Sequence, residues 1–395
     1  MTAIWSATAK GQAKPTFRVP VDSSSTSTAG YVGVSDIVDI VNPVNKLTKW
    51  RVALGKMRGN STYRPRILCI GDSTTWGLNS NGAATGDMMT YCYPTQLTNL
   101  LNAAGISAQT DSVFGGSTGG SRLDKDGRVT NAGAWALAAD TTSGWTISGR
   151  FYTASTSGNL SFVPYKQTDT FKVWYISETG NGVLGYNING SGAGTVDTAL
   201  NNGTIQTITT TASLGTNTLN LSWSSGGAVK VIAIEGYNSA TEQVSVMNCG
   251  WGGSKAADWT GTTNFFSPLN VIDTFAPDLT LINLGVNDLG PATPVATYKS
   301  SLQTLITECL LYGDVALVAF TPISIANKDL ATQSTYIDAL YELGVTNSIP
   351  VIDLWRRFVS YEIMNPLGMY FDVLHPNGNG YADMAQGVFN VIGKP

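Results

Sequence analysis

Along most of the chain, apolar residues form short runs separated by stretches of helical period. Residues 67–71, 315–320 and 349–354 are near-continuous apolar runs of strand length, and 278–284 reads as a further buried strand. Between them the spacing changes to three and four. A helix is predicted over 46–58, and Pro94 opens another, with Leu97, Leu100 and Leu101 on one face and Gly105 as its stop. Tyr298, Leu302, Leu305, Ile306 and Cys309 recur at helical spacing. Residues 336–343 predict a helix stopped by Gly344, and Tyr381, Met384, Ala385, Val388 and Ile392 mark a closing one. A strand apolar on both sides must be covered on both sides. The alternation therefore predicts an α/β domain with a parallel sheet between two helical layers.

Between about 131 and 245 that rhythm disappears. Phe171, Val173 and Tyr175 fall on one side of a strand, and Lys172, Trp174 and Ile176 on the other. Residues 219–223 and 229–234 alternate in the same way, and Gly-rich or Asn-Gly turns separate the runs. An antiparallel β-sandwich of about 100 residues is expected there. Residues 1–30 are rich in Ser, Thr and Ala, a composition suited to a tail or linker. The predicted organisation is a tail over 1–45, an α/β domain in two parts (46–130 and 246–395), and a sandwich inserted at 131–245.

Composition narrows the classes. In 395 residues, 43% are apolar, enough for a core in each of two domains. Only 13% are charged and the net charge is −4, with no cluster of Lys or Arg. Nucleic acids and anionic membranes call for a basic patch, so neither is an expected partner. The polar but uncharged residues suit an extracellular or virion-associated surface. No signal-peptide h-region is visible, and no apolar run approaches the roughly 18 residues of a membrane span. Cys69, Cys92, Cys249 and Cys309 form no CxxC pair, and the chain has one histidine. A zinc site is not expected, and Cys69 and Cys249 read as buried thiols.

Four short segments hold the chemistry. Gly71-Asp72-Ser73 follows an apolar strand, placing a serine at the carboxyl edge of a parallel sheet, where open α/β folds bind ligands. Asp372-Val373-Leu374-His375 precedes the last helix. Serine needs a base to become a nucleophile, and a carboxylate three residues before an imidazole can orient it. If the chain performs Ser-His chemistry, His375 must supply the base, since no other histidine exists. Gly285-Val286-Asn287-Asp288 follows a second strand and can aim an amide N–H at an oxyanion. The glycine-rich 248–254 loop offers backbone N–H groups, as does 114–120. Each segment alone would pass for an ordinary turn.

In content and in chain order, the four segments resemble the SGNH (GDSL-like) hydrolase family, over roughly 60–130 and 246–395. The resemblance implies a flavodoxin-like three-layer α/β/α hydrolase. In it Ser73 would be the nucleophile, His375 the base and Asp372 its orienting carboxylate. The oxyanion donors would be the Ser73 N–H, the Gly253 N–H and the Asn287 side chain, with no metal or organic cofactor. The family's first two blocks lie about 180 positions apart here. The insert explains the gap and leaves Gly116 and Gly119 as alternatives to Gly253. The insert itself is similar to jelly-roll carbohydrate-binding modules, and Trp145, Tyr152, Trp174, Tyr186 and Trp223 are either sugar-stacking or core residues. Family members with such attachments are commonly carbohydrate esterases. The expected reaction is hydrolysis of O-acetyl esters on a polysaccharide through an acyl-enzyme. The alternatives are a small-ester or lysophospholipid esterase, and a non-catalytic glycan-binding adhesin such as a phage tail component.

Overall fold

The computed structural model describes residues 47–59, 63–116, 125–138 and 145–393. Ahead of them it describes three short antiparallel strands, Ile4–Ala7, Ala13–Phe17 and Val32–Gly33. The rest of the expected tail over 1–45 lies outside the described residues.

The apolar runs form a six-stranded parallel sheet. Its strands are β1 (Arg66–Gly71), β2 (Ala108–Gln109), β3 (Val244–Asn248), β4 (Leu279–Asn283), β5 (Asp314–Val318) and β6 (Val351–Ile352), in the order β6-β5-β4-β1-β3-β2. Successive side chains alternate between two cores, as the strand period of two requires. Ile67 and Cys69 join the layer of Trp50, Leu97, Leu101, Tyr381 and Val388, while Leu68 and Ile70 join that of Tyr298, Leu302, Ile306, Ile337 and Leu340. Helices thus cover both faces: Thr48–Gly59, Tyr93–Ala103 and Gly378–Ile392 on one, Val295–Tyr312 and Leu330–Asn347 on the other. This is the three-layer α/β/α architecture.

Two elements differ from the periodicity reading. The helix expected over 336–343 runs from Leu330 to Asn347, straight through Gly344. Its start is hidden in a polar stretch, where Asp329 caps by accepting from the Thr332 N–H. It ends when Ser348 turns left-handed and the Ile349 N–H reaches back to the Gly344 carbonyl. The strand expected over 349–354 shrinks to Val351–Ile352, because Asp353 accepts from the Arg356 N–H and starts a helical turn at Leu354.

Between residues 112 and 237 the antiparallel strands form two further sheets. One holds five strands, with Leu219–Gly226 in the middle; the other has six, centred on Thr168–Ser177 and Val229–Tyr237. Ser112–Phe114 joins the latter by pairing with Val229–Tyr237. Phe171, Val173 and Tyr175 face the other sheet, packing with Leu160, Phe162, Leu184 and Leu221. The opposite side chains, Trp174 and Ile176, share a core with Ile70, Phe275 and Leu284 of the α/β layers. The central strands of this sheet are therefore buried on both sides, and the insert shares a core with the α/β layers. Of the five aromatics singled out, Tyr152 and Trp174 are interior. Trp145 packs on Trp251 and Trp223 donates to the Gly227 carbonyl; Tyr186 is half-buried.

Candidate active site

Register sets the site. Asn283 on β4 stands opposite Gly71 on β1, so the segments after both strands emerge at one edge of the sheet. Beyond Gly71, a single helical turn, Ser73–Trp76, is capped by Asp72, whose carboxylate accepts from the Thr74 N–H at 2.8 Å. A Cβ on Gly71 would collide with the Thr75 side chain and the Asn283 carbonyl, so only glycine lets the turn sit this close to the sheet.

Ser73 Oγ lies 3.0 Å from His375 Nε2, across 302 positions of sequence. On the other side of the ring, Nδ1 lies 2.9 Å from Asp372 Oδ2. The carboxylate is heavily bonded: it accepts from the His375 N–H (2.7 Å), the Leu374 N–H (2.8 Å) and Asn79 Nδ2 (3.2 Å). Partial burial pushes the Asp372 carboxyl up, but the His375 ring and these backbone donors outweigh it and hold it down at about 2. Asp372 therefore stays ionised from mild acid upward. A carboxylate on Nδ1 leaves the Nε2 lone pair facing the serine, the tautomer in which imidazole accepts a proton.

The 248–254 loop is seated directly on the Ser73–Trp76 turn. The Trp251 N–H donates to the Gly71 carbonyl at 2.8 Å, and Asn248 Nδ2 donates to the Trp76 carbonyl at 3.3 Å. Gly250 abuts the Trp76 backbone so closely that a Cβ there would overlap it. Gly253, at φ 81°, is exposed beyond this anchored part. Asn287 sits in the single turn Val286–Leu289 after β4 and donates to the Ser254 carbonyl at 3.1 Å, while Asp288 accepts from the Ala256 N–H at 2.9 Å. Two bonds thus tie the Asn287 turn to the glycine loop. Gly116, by contrast, follows the strand Ser112–Phe114 in the sandwich sheet, and Gly119 lies outside the described residues.

Several contributors have no sequence signal. Asn79 bonds to Asp372 from a left-handed position at φ 64°. Behind the site, Asp72 and Asp288 are buried carboxyls, each with one oxygen that finds no hydrogen-bond partner among the described residues. Burial pushes both up to about 6, against the Thr74 donors at Asp72 and the Ala256 N–H at Asp288. The insert also reaches the site. Ser148 Oγ donates to the Gly250 carbonyl at 2.9 Å, Gly149 lies against the Trp251 ring, and Trp145 and Trp259 pack on that ring with centroids at 5.2 and 5.7 Å.

Residues 226–382 match the sequence profile of the GDSL-like Lipase/Acylhydrolase family. The match includes Asn287, Asp372 and His375; Ser73 lies upstream of it, on the turn after β1, which pairs with β3 and β4 inside it. No curated protein matches the chain. Among solved structures, a peptidoglycan O-acetylesterase is similar at 15% identity and a TM-score of 0.66, over 88% of this chain and 96% of that one. At that identity the likeness is one of fold. A family two carbohydrate esterase from Cellvibrio japonicus (14% identity, TM-score 0.29, 71% of this chain and 97% of that one) overlaps less well. So does an acetylxylan esterase catalytic mutant from Geobacillus stearothermophilus (18%, 0.32, 38% and 73%).

Proposed function

We propose that the chain is a carboxylic ester hydrolase of the GDSL-like lipase/acylhydrolase type, removing acetyl groups from a polysaccharide with Ser73, His375 and Asp372 as its triad. The observation that supports this assignment is the unbroken chain Ser73 Oγ–His375–Asp372, at 3.0 and 2.9 Å.

In this reading Ser73 Oγ attacks the ester carbonyl while His375 Nε2 takes its proton. Asp372, ionised throughout the working range, stabilises the imidazolium. The oxyanion is held by the Ser73 and Gly253 N–H groups and by Asn287 Nδ2, which has a second N–H beyond the one given to Ser254. Gly253 is preferred to Gly116 because its loop is the one fastened to the nucleophile turn. Collapse expels the sugar alcohol, which takes the proton from His375. Water, deprotonated by the same ring, then releases acetate and restores the serine. A sugar substrate also agrees with the low share of charged residues, 13%.

The test is hydrolysis of p-nitrophenyl acetate by wild type, Ser73→Ala and His375→Ala, followed by acetate release from acetylated xylan, peptidoglycan and bacterial O-polysaccharide. Each variant is expected to lose at least about 10³-fold in kcat. A His375→Ala enzyme near wild-type turnover would end the assignment, because the chain has no other histidine. Hydrolysis of the small ester without acetate release from any polymer would favour a small-ester esterase.

A further inference from the structure

A cleft of about 510 Å3 opens at the same edge of the sheet, in the segment that joins β5 to the helix Leu330–Asn347. β5 is separated from β1, the nucleophile's strand, only by β4. At about 4.8 Å per strand, the ends of β5 and β1 stand on the order of 10 Å apart. The cleft is joined to the His375 loop directly, since the Ser324 N–H on its wall donates to the Val373 carbonyl at 2.8 Å.

The wall is held rigid from behind. Gln333, 1% exposed, accepts from the Ile323 N–H and Trp355 Nε1, and donates to the Ile323 and Lys328 carbonyls. The Tyr370 hydroxyl donates to the Pro322 carbonyl at 2.6 Å. In contrast, the side chains of Asn327, Lys328 and Glu362, which line the cleft, make no hydrogen bond or ion pair with any described residue. An amide, an ammonium and a carboxylate are thus presented without partners on a fixed frame, beside the apolar side chains of Ile325 and Leu330. Its volume falls in the roughly 300–1,000 Å3 of small-molecule sites. A long acyl chain would desolvate Lys328 and Glu362 without compensation. Sugar hydroxyls both donate and accept, and the C–H face of the ring suits the aliphatic side.

We propose that this cleft is a subsite for a neighbouring sugar unit of the polysaccharide, held on the alcohol side of the ester by Asn327, Lys328 and Glu362. The proposal rests on the glycan-deacetylase reading. It is tested with Lys328→Ala and Glu362→Ala, both surface changes, by measuring kcat/KM for acetylated xylo-oligosaccharide or chito-oligosaccharide relative to p-nitrophenyl acetate. Loss of a hydrogen bond to a charged group is expected to lower that ratio about tenfold or more, through KM. A ratio equal to wild type in both variants overturns the subsite while leaving the deacetylase reading intact. A wild type that hydrolyses p-nitrophenyl acetate but neither oligosaccharide overturns the glycan reading and the subsite together.

Discussion

Asp72 offers a test of the electrostatics beneath Ser73. It is fully buried, with one carboxylate oxygen bonded to the Thr74 N–H and hydroxyl and the other without a partner among the described residues. Burial raises its carboxyl from 3.8 to about 6, so the fold binds this proton more tightly than the unfolded chain does. Stability is therefore favoured while the group is protonated and is lost as pH rises from about 4 through about 6. Such a displacement corresponds to about 3 kcal/mol at pH 8, with about half of it already in place at pH 5. Asp72→Asn keeps an acceptor for Thr74 and cannot ionise. The constant cost or gain of placing an amide there cancels when two pH values are compared. The stability of Asp72→Asn relative to wild type should then improve by about 1–2 kcal/mol between pH 5 and pH 8. The assay is urea unfolding of both proteins at both pH values, followed by tryptophan fluorescence. A difference that stays constant, or moves the other way, would refute the claim that a strained carboxyl lies under Ser73.

Two further substitutions probe how the site is held. Asn79→Gly keeps the left-handed backbone but removes the bond to Asp372 Oδ2, and a net loss of about 1 kcal/mol predicts roughly a fivefold fall in kcat on p-nitrophenyl acetate with little change in melting temperature; unchanged turnover would show that the backbone donors alone suffice. Gly149→Ala puts a Cβ at φ 87°, 2.6 Å from the Trp251 ring, so strain and overpacking together are expected to cost about 2–4 kcal/mol and to lower kcat through the displaced glycine loop. A Gly149→Ala enzyme with wild-type kcat and melting temperature would show that the insert does not brace the site.

The legible parts of this protein are those in which one residue's surroundings are determined by its near neighbours. Runs such as 67–71 and 315–320 are apolar on consecutive positions, which only a strand covered on both faces tolerates, and the sheet followed from them. The DxxH spacing is local as well: Asp372 reaches His375 within one turn, and the presence of a single histidine left no competitor. Where polar residues serve as helix interior, the pattern misled. Leu330–Asn347 begins in a Thr/Ser/Gln stretch because Gln333 is buried by hydrogen bonds rather than by apolar contact.

The sequence by itself determined the α/β rhythm, the residue types able to perform acyl transfer and their order along the chain. Tertiary structure decided which of those residues meet. Ser73 and His375 are adjacent because β1 lies at the centre of the sheet and the final helix folds back beside it, and no periodicity encodes a contact across 302 positions. Of the two glycine-rich stretches, the one around 248–254 lies on the Ser73 turn because β3 pairs with β1. Asn79 and the buried carboxyls of Asp72 and Asp288 owe their roles to surroundings assembled from distant segments. The role of the insert changed most: its alternation predicted strands but not that Trp174 and Ile176 would face the hydrolase core. Burial is a property of whichever surface arrives, and the pattern on one strand does not name its partner.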